Sequence, residues 1–168
     1  ASEGVSSVYR VLIFLIIAVM LTLGWGETLI YESDVPTDDW VYEEALEEDA
    51  MLFVVGYTKI DWDKGIQGLA PQAARRLPEI DFEEQLPLLV YLGERPTGGY
   101  GVEIDSAAVK GDTLAAVVSF RSPQPNEFVT MAFTYPYSLV LLERAELKNV
   151  ERVLFVDREG TLLADFRK

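Results

Sequence analysis

The sequence contains no cysteine and no histidine. Without cysteine, neither a disulfide framework nor thiolate chemistry is available to the chain. Without histidine, the commonest general base and the commonest zinc ligand are missing, as are the Ser-His-Asp and Cys-His arrangements of nucleophilic catalysis. We therefore expect a protein that is not an enzyme and that uses no cofactor and no metal.

Positive charge is also scarce, since 14 lysines and arginines face 28 acids and the net charge is −14. Such a surface would repel phosphates, so a nucleic acid is excluded as a partner. The charge favours solubility over recognition of a specific cationic partner, although both interpretations stay open. The segment with the highest density of acids lacks the central glycine of an EF-hand loop and is therefore interpreted as a solvated face. Its acids are Glu43, Glu44, Glu47, Glu48 and Asp49.

Residues 11–26 carry no charge, whereas residues 27–49 contain ten acids and no base. A leader peptide, a membrane anchor and a packing helix are the alternatives for this apolar segment. As a helix it would reach only about 24 Å, which is short for a bilayer core of roughly 30 Å. Its β-branched residues would also allow a strand donated to a neighbouring subunit. The predicted assembly or anchor residues are Val11, Leu12, Ile13, Phe14, Leu15, Ile16, Ile17, Val19, Met20, Leu21, Leu23 and Trp25.

The order of a few polar residues, one apolar helix and a β-rich head resembles the layout of type IV pilin-type subunits. This resemblance implies a filament in which the apolar helices are packed together. Because the chain begins at Ala1 and carries this segment, we expect a processed, exported protein that is extracellular or held at the cell surface.

After residue 26 the sequence is typical of short strands separated by glycine and proline turns. The predicted fold class is mainly β, an antiparallel sandwich or partly open barrel preceded by the N-terminal apolar helix. We divide the chain into an apolar tail (1–26), a β-rich head (27–148) and a C-terminal hairpin extending the head (149–168). The predicted strands are residues 27–33, 51–58, 86–93, 100–109, 113–121, 128–143, 152–157 and 161–166. A short helix is predicted within 38–49, and a loop with one helical turn within 62–76.

Residues 77–142 resemble the C-terminal domain of PrcB-type proteins. The resemblance rests on the pair Asp81-Phe82, the apolar run 88–92, the sequence GERPTGGY at 93–100 and the sequence FTYPY at 133–137. It implies a β-rich accessory subunit of a bacterial surface protease complex, and says almost nothing about chemistry.

Within that region, one glycine-rich turn is the candidate structural or binding loop, with the residues Arg95, Pro96, Thr97, Gly98, Gly99 and Tyr100. Paired glycines can expose amides to an anion, but we favour a tight connection in which the glycines adopt positive φ. Phe133, Tyr135 and Tyr137 alternate, which predicts one sheet face that is core or interface rather than a sugar-binding platform.

Two functions follow from these patterns. The first is a non-catalytic structural subunit that assembles with copies of itself into a surface filament through residues 11–25. The alternative is a membrane-anchored, PrcB-like accessory module that binds a surface protease.

Overall fold

The computed structural model describes residues 26–42 and 51–168, and within them the chain is mainly β, as predicted. The eight strands are β1 (Thr28–Glu32), β2 (Leu52–Val55), β3 (Gln85–Tyr91), β4 (Gly101–Lys110), β5 (Thr113–Arg121), β6 (Tyr137–Glu143), β7 (Arg152–Val156) and β8 (Leu162–Arg167). The helices are α1 (Lys59–Gly65) and α2 (Pro71–Ala74), with 3-10 turns at Ile66–Gly68 and Arg144–Glu146.

The strands form two open sheets. A five-stranded sheet has the order β1-β4-β5-β7-β8, and a three-stranded sheet has the order β2-β3-β6. The central hairpin β4–β5 joins two of the predicted strands and turns at Gly111, whose φ of +64° suits glycine. Every pair of neighbouring strands is antiparallel except the pair β5 and β7, which is parallel.

The two sheets share one core, because apolar side chains of both contribute to a single buried cluster. Leu88 and Val90 of β3 enter this cluster together with Ile104 of β4 and Phe155 of β7. The intervening β3 residues Leu89 and Tyr91 face the opposite way, into a second cluster under the helices. β3 is therefore covered on both faces, which explains why its sequence is apolar from Leu86 onward rather than alternating.

Helix α1 begins with a capping box. The Thr58 hydroxyl accepts from the backbone N–H of Asp61, and the Asp61 carboxylate accepts from that of Thr58. Trp62 on the same helix is buried in the second cluster. The cap and the buried indole account for a helix where the sequence analysis placed mostly a loop.

Four further predictions need correction or lie outside the described residues. The all-antiparallel arrangement is wrong, because β7 lies parallel to β5, and the strands form no closed barrel within the described part of the chain. The strand predicted over 128–143 begins only at Tyr137. The predicted N-terminal helix and most of the helix predicted within 38–49 fall in residues 1–25 and 43–50, which are not described.

Candidate functional site: two paired loops

The predicted loop at residues 95–100, called here the glycine loop, is joined to residues 122–136, called here the aromatic loop. Arg95 and Thr134 exchange two backbone hydrogen bonds, each with an N···O distance of 2.8 Å. The Thr134 hydroxyl also donates to the carbonyl of Thr97 at 2.7 Å, and the N–H of Gly98 donates to the carbonyl of Thr130 at 2.9 Å. The two loops are thus braced against each other.

Both glycines of the glycine loop meet the aromatic loop at close range. A Cβ added at Gly98 would come within 2.6 Å of Thr130 Oγ1. One added at Gly99, where φ is +85°, would come within 2.8 Å of Val129 Cγ1. Close packing therefore disfavours a side chain at either position. The positive φ predicted for both glycines is found at Gly99 but not at Gly98. The Gly98 amide is used within the protein rather than presented to an anion.

The remaining side chains of the glycine loop are also engaged locally. The Arg95 guanidinium donates to the carbonyl of Leu92 at 2.9 Å and lies 5.5 Å from the ring centroid of Tyr100. The Thr97 hydroxyl donates to the carbonyl of Gly98 at 3.0 Å, whereas Pro96 is exposed. The loop has the geometry of a rigid support for its neighbour.

The aromatic loop instead presents large apolar side chains to solvent. Phe128 is fully exposed, and the exposed fractions of Met131 and Phe133 are 86% and 65%. The base of the loop is held by an ion pair of 2.5 Å between Arg121 and Glu127, whose carboxylate also accepts from the N–H of Gln124 at 2.9 Å. A braced loop that holds three apolar side chains out of the core is typical of a protein-binding surface.

Phe128 and Met131 were not predicted as site residues from the sequence, and the prediction for the aromatic loop was partly wrong. Phe133, Tyr135 and Tyr137 do not share one face, because only Tyr137 lies in a strand and Phe133 is exposed. The signal that could have found the site is the spacing of three large apolar residues after Pro125-Asn126, a turn in which Asn126 has φ +69°.

Tyr135 and Tyr137 contact Arg76, which follows α2, beside the two loops. The Arg76 guanidinium donates to the carbonyl of Tyr135 at 2.8 Å and lies 5.2 Å from the ring centroid of Tyr137. A hydrogen bond with the Glu94 carboxylate raises the pKa of Tyr135, and burial raises that of Tyr91. These contacts anchor the far end of the aromatic loop at the start of β6.

Residues 26–42 and 51–168 contain no group of three carboxylates arranged to hold a metal ion. Within the same ranges neither helix is long and apolar enough to cross a bilayer. The predicted assembly or anchor residues, and the acids from Glu43 to Asp49, lie outside the described residues.

The fold defines a mainly β module of two sheets whose candidate site is built from loops at one end of β3, β4, β5 and β6. Residues 87–143, which include those four strands except the first two residues of β3, match the family model described as PrcB C-terminal. This match confirms the predicted resemblance, although it begins after Asp81-Phe82. No curated protein and no solved structure matches the chain.

Proposed function

We propose that this chain is a non-catalytic accessory module that binds a subunit of a surface protease complex through the aromatic loop. The observation that carries the proposal is the exposure of Phe128, Met131 and Phe133 on a loop braced by the glycine loop. The match of residues 87–143 to the PrcB C-terminal family supports the protease complex as the partner, since both loops lie inside it.

Phe128, Met131 and Phe133 expose apolar area to water. Burying each of these side chains against a partner would contribute roughly 1.5–3 kcal/mol. Such contacts are concentrated in a few residues in most protein interfaces, and aromatic residues are common among them. Because the hydrogen bonds to Thr97 and Gly98 already order the loop, little further conformational entropy is lost on binding.

Self-assembly into a filament remains a prediction, because its assembly residues lie in the undescribed range 1–25. The cell-surface location is likewise part of the proposal. The match to an accessory-subunit family favours the binding module over the filament as the function.

The test is photo-crosslinking in the native host, with the full chain carrying p-benzoylphenylalanine in place of Phe128. The matched control carries the same group at Ile60, an exposed apolar residue on α1 with the same exposed fraction as Phe133. We expect position 128, but not position 60, to crosslink to a protease-complex subunit identified by mass spectrometry. Crosslinks from position 128 only to other copies of this chain, or equal crosslinking from both positions, would contradict the proposal.

A further inference from the structure

A second set of side chains surrounds Arg158, in the turn between β7 and β8. The Arg158 guanidinium donates to Asp105 Oδ2 at 3.1 Å and also to the hydroxyl of Thr37. Asp105 lies in β4, where the pairing with β5 shifts register. Its carboxylate also accepts from the hydroxyl of Thr37, at 2.7 Å, and from the hydroxyl of Ser119. The charge of Arg158 is therefore engaged by a carboxylate of its own chain.

Two cavities share Arg158 as a lining residue, and together they are called here the Arg158 groove. The smaller, of about 220 Å³, is lined by Trp40, Tyr42, Phe120, Asp157 and Glu159 among others. The larger, of about 570 Å³, is lined by Glu32, Asp34, Asp38 and Asp105 among others. Arg158 borders both cavities and is the one base among their lining residues in the described part of the chain.

The groove consequently has an excess of negative charge. Arg158 is paired with Asp105, and Asp157 accepts from the N–H of Thr161 at 2.6 Å in the β7–β8 turn. The other four carboxylates have no cationic partner within residues 26–42 and 51–168: Glu32, Asp34, Asp38 and Glu159. An anionic ligand would be repelled here, whereas a cation would be attracted.

The groove also has a fixed aromatic wall. A Cβ added at Gly101 would lie 3.1 Å from Cη2 of Trp40, so the indole packs closely against the backbone of Gly101. The ring of Tyr42 lies 5.9 Å from that of Phe120, measured between centroids. An indole beside carboxylates is the combination that recognises ammonium and guanidinium groups, through cation–π attraction and ion pairing.

We propose that the Arg158 groove binds a peptide segment with several lysines or arginines. One cationic group would lie against Trp40 and Glu159 in the smaller cavity, and another at the carboxylates of the larger cavity. A metal ion is a poorer candidate, because no three carboxylates converge on one point among the described residues. The proposal is independent of the protease partner and of the exposed tip of the aromatic loop, so the two can fail separately.

The test uses the full chain labelled with 5-fluorotryptophan, which gives one ¹⁹F resonance for each of its three tryptophans. Trp40→Phe assigns the resonance of interest. We expect acetylated tetra-arginine to shift the Trp40 resonance saturably and less strongly at high salt, and to leave that of the buried Trp62 unchanged. An absent Trp40 shift, an equal shift with the uncharged tetra-citrulline peptide, or a shift with tetra-glutamate would overturn the proposal.

Charge variants separate the groove from the general acidity of the protein. Asp38→Asn combined with Glu159→Gln removes one carboxylate from each cavity and should raise the Kd for tetra-arginine by roughly threefold per charge. Glu83→Gln combined with Glu84→Gln removes the same charge from exposed positions outside both cavities. This control should leave the Kd almost unchanged, and an equal loss in both variants would contradict a specific groove.

Discussion

Arg144 Nη2 lies 2.8 Å from the carbonyl oxygen of Tyr57, just after the end of β2. The same guanidinium donates to the carbonyls of Gly56, at 3.2 Å, and of Gln85, at 3.0 Å. One side chain that follows β6 thus satisfies carbonyl groups at the ends of the other two strands of the small sheet. This arrangement supports the sheet that carries one side of the paired loops.

Arg144→Met should lower the free energy of unfolding by about 2 kcal/mol, since three partly buried carbonyls lose a charged donor. Urea unfolding of the full chain would measure the change. Arg75→Met is the matched control, because the Arg75 side chain is exposed. A similar loss of stability in both variants would mean that the carbonyl contacts of Arg144 contribute little.

Gly99→Ala and Gly111→Ala separate backbone strain from packing at the glycine loop. Both residues have positive φ, but a Cβ at Gly111 meets nothing within 4 Å, whereas one at Gly99 meets Val129 at 2.8 Å. We expect Gly111→Ala to cost about 1 kcal/mol and Gly99→Ala about 1–3 kcal/mol more. Thermal unfolding would measure both. Equal costs would show that the aromatic loop yields without a penalty.

The ion pair between Arg152 and Asp165 should make the free energy of unfolding depend on pH in the acidic range. The guanidinium donates to both carboxylate oxygens, at 2.9 and 2.7 Å, and this hydrogen bonding lowers the pKa of Asp165. Because the folded-state pKa lies below the unfolded one, the stabilisation is present above the unfolded pKa and is lost as the pH falls through the folded pKa.

Asp165→Asn should therefore reduce stability by about 0.5–1 kcal/mol at neutral pH, with the difference from the wild type shrinking as the pH falls from neutral to below the ordinary Asp pKa of about 3.9. Urea midpoints measured across that range would show it. Asp63→Asn removes a more exposed ion pair, with Lys59, and should have a smaller effect at neutral pH. A pH-independent difference for Asp165→Asn would contradict the assignment.

Tyr57 should make the free energy of unfolding depend on pH in the alkaline range. Burial, reinforced by the negative charges of Asp165 and Glu151, raises the pKa of Tyr57 to about 12. The folded-state pKa is raised, so the stabilisation is complete below the unfolded value of about 10 and is lost as the pH rises toward the folded value. Tyr57→Phe should flatten the fall in urea midpoint over that interval. Tyr31→Phe is the control, and an unchanged alkaline profile for Tyr57→Phe would refute the prediction.

The β4–β5 and β7–β8 hairpins and the mainly β class were predictable from local sequence. Short apolar runs separated by glycine turns define strands through contacts a few residues apart, and Gly111 and Gly160 both adopt the positive φ that such turns use. The family resemblance was also predictable, because the residues around GERPTGGY occur in a fixed order along the chain.

Two features of the fold and site depended on contacts between residues distant in sequence. β7 lies parallel to β5 because the intervening β6 joins the other sheet, and nothing within residues 152–156 specifies that neighbour. Phe133 and Tyr135 have the alternation of a strand, but their segment makes only one bridge, between Thr134 and Arg95. A strand needs a partner along its length, so tertiary pairing left this segment as a loop with exposed apolar side chains.

The sequence by itself determined the acidic charge, the absence of cysteine and histidine chemistry, the local turns and the family resemblance, because each depends on composition or on neighbouring residues. Only the tertiary structure decided which apolar residues are buried and which surround the Arg158 groove. Burial requires a covering surface: Leu89 has one in the helices, Phe128 has none among the described residues, and Trp40 meets Gly101 only after the chain has folded.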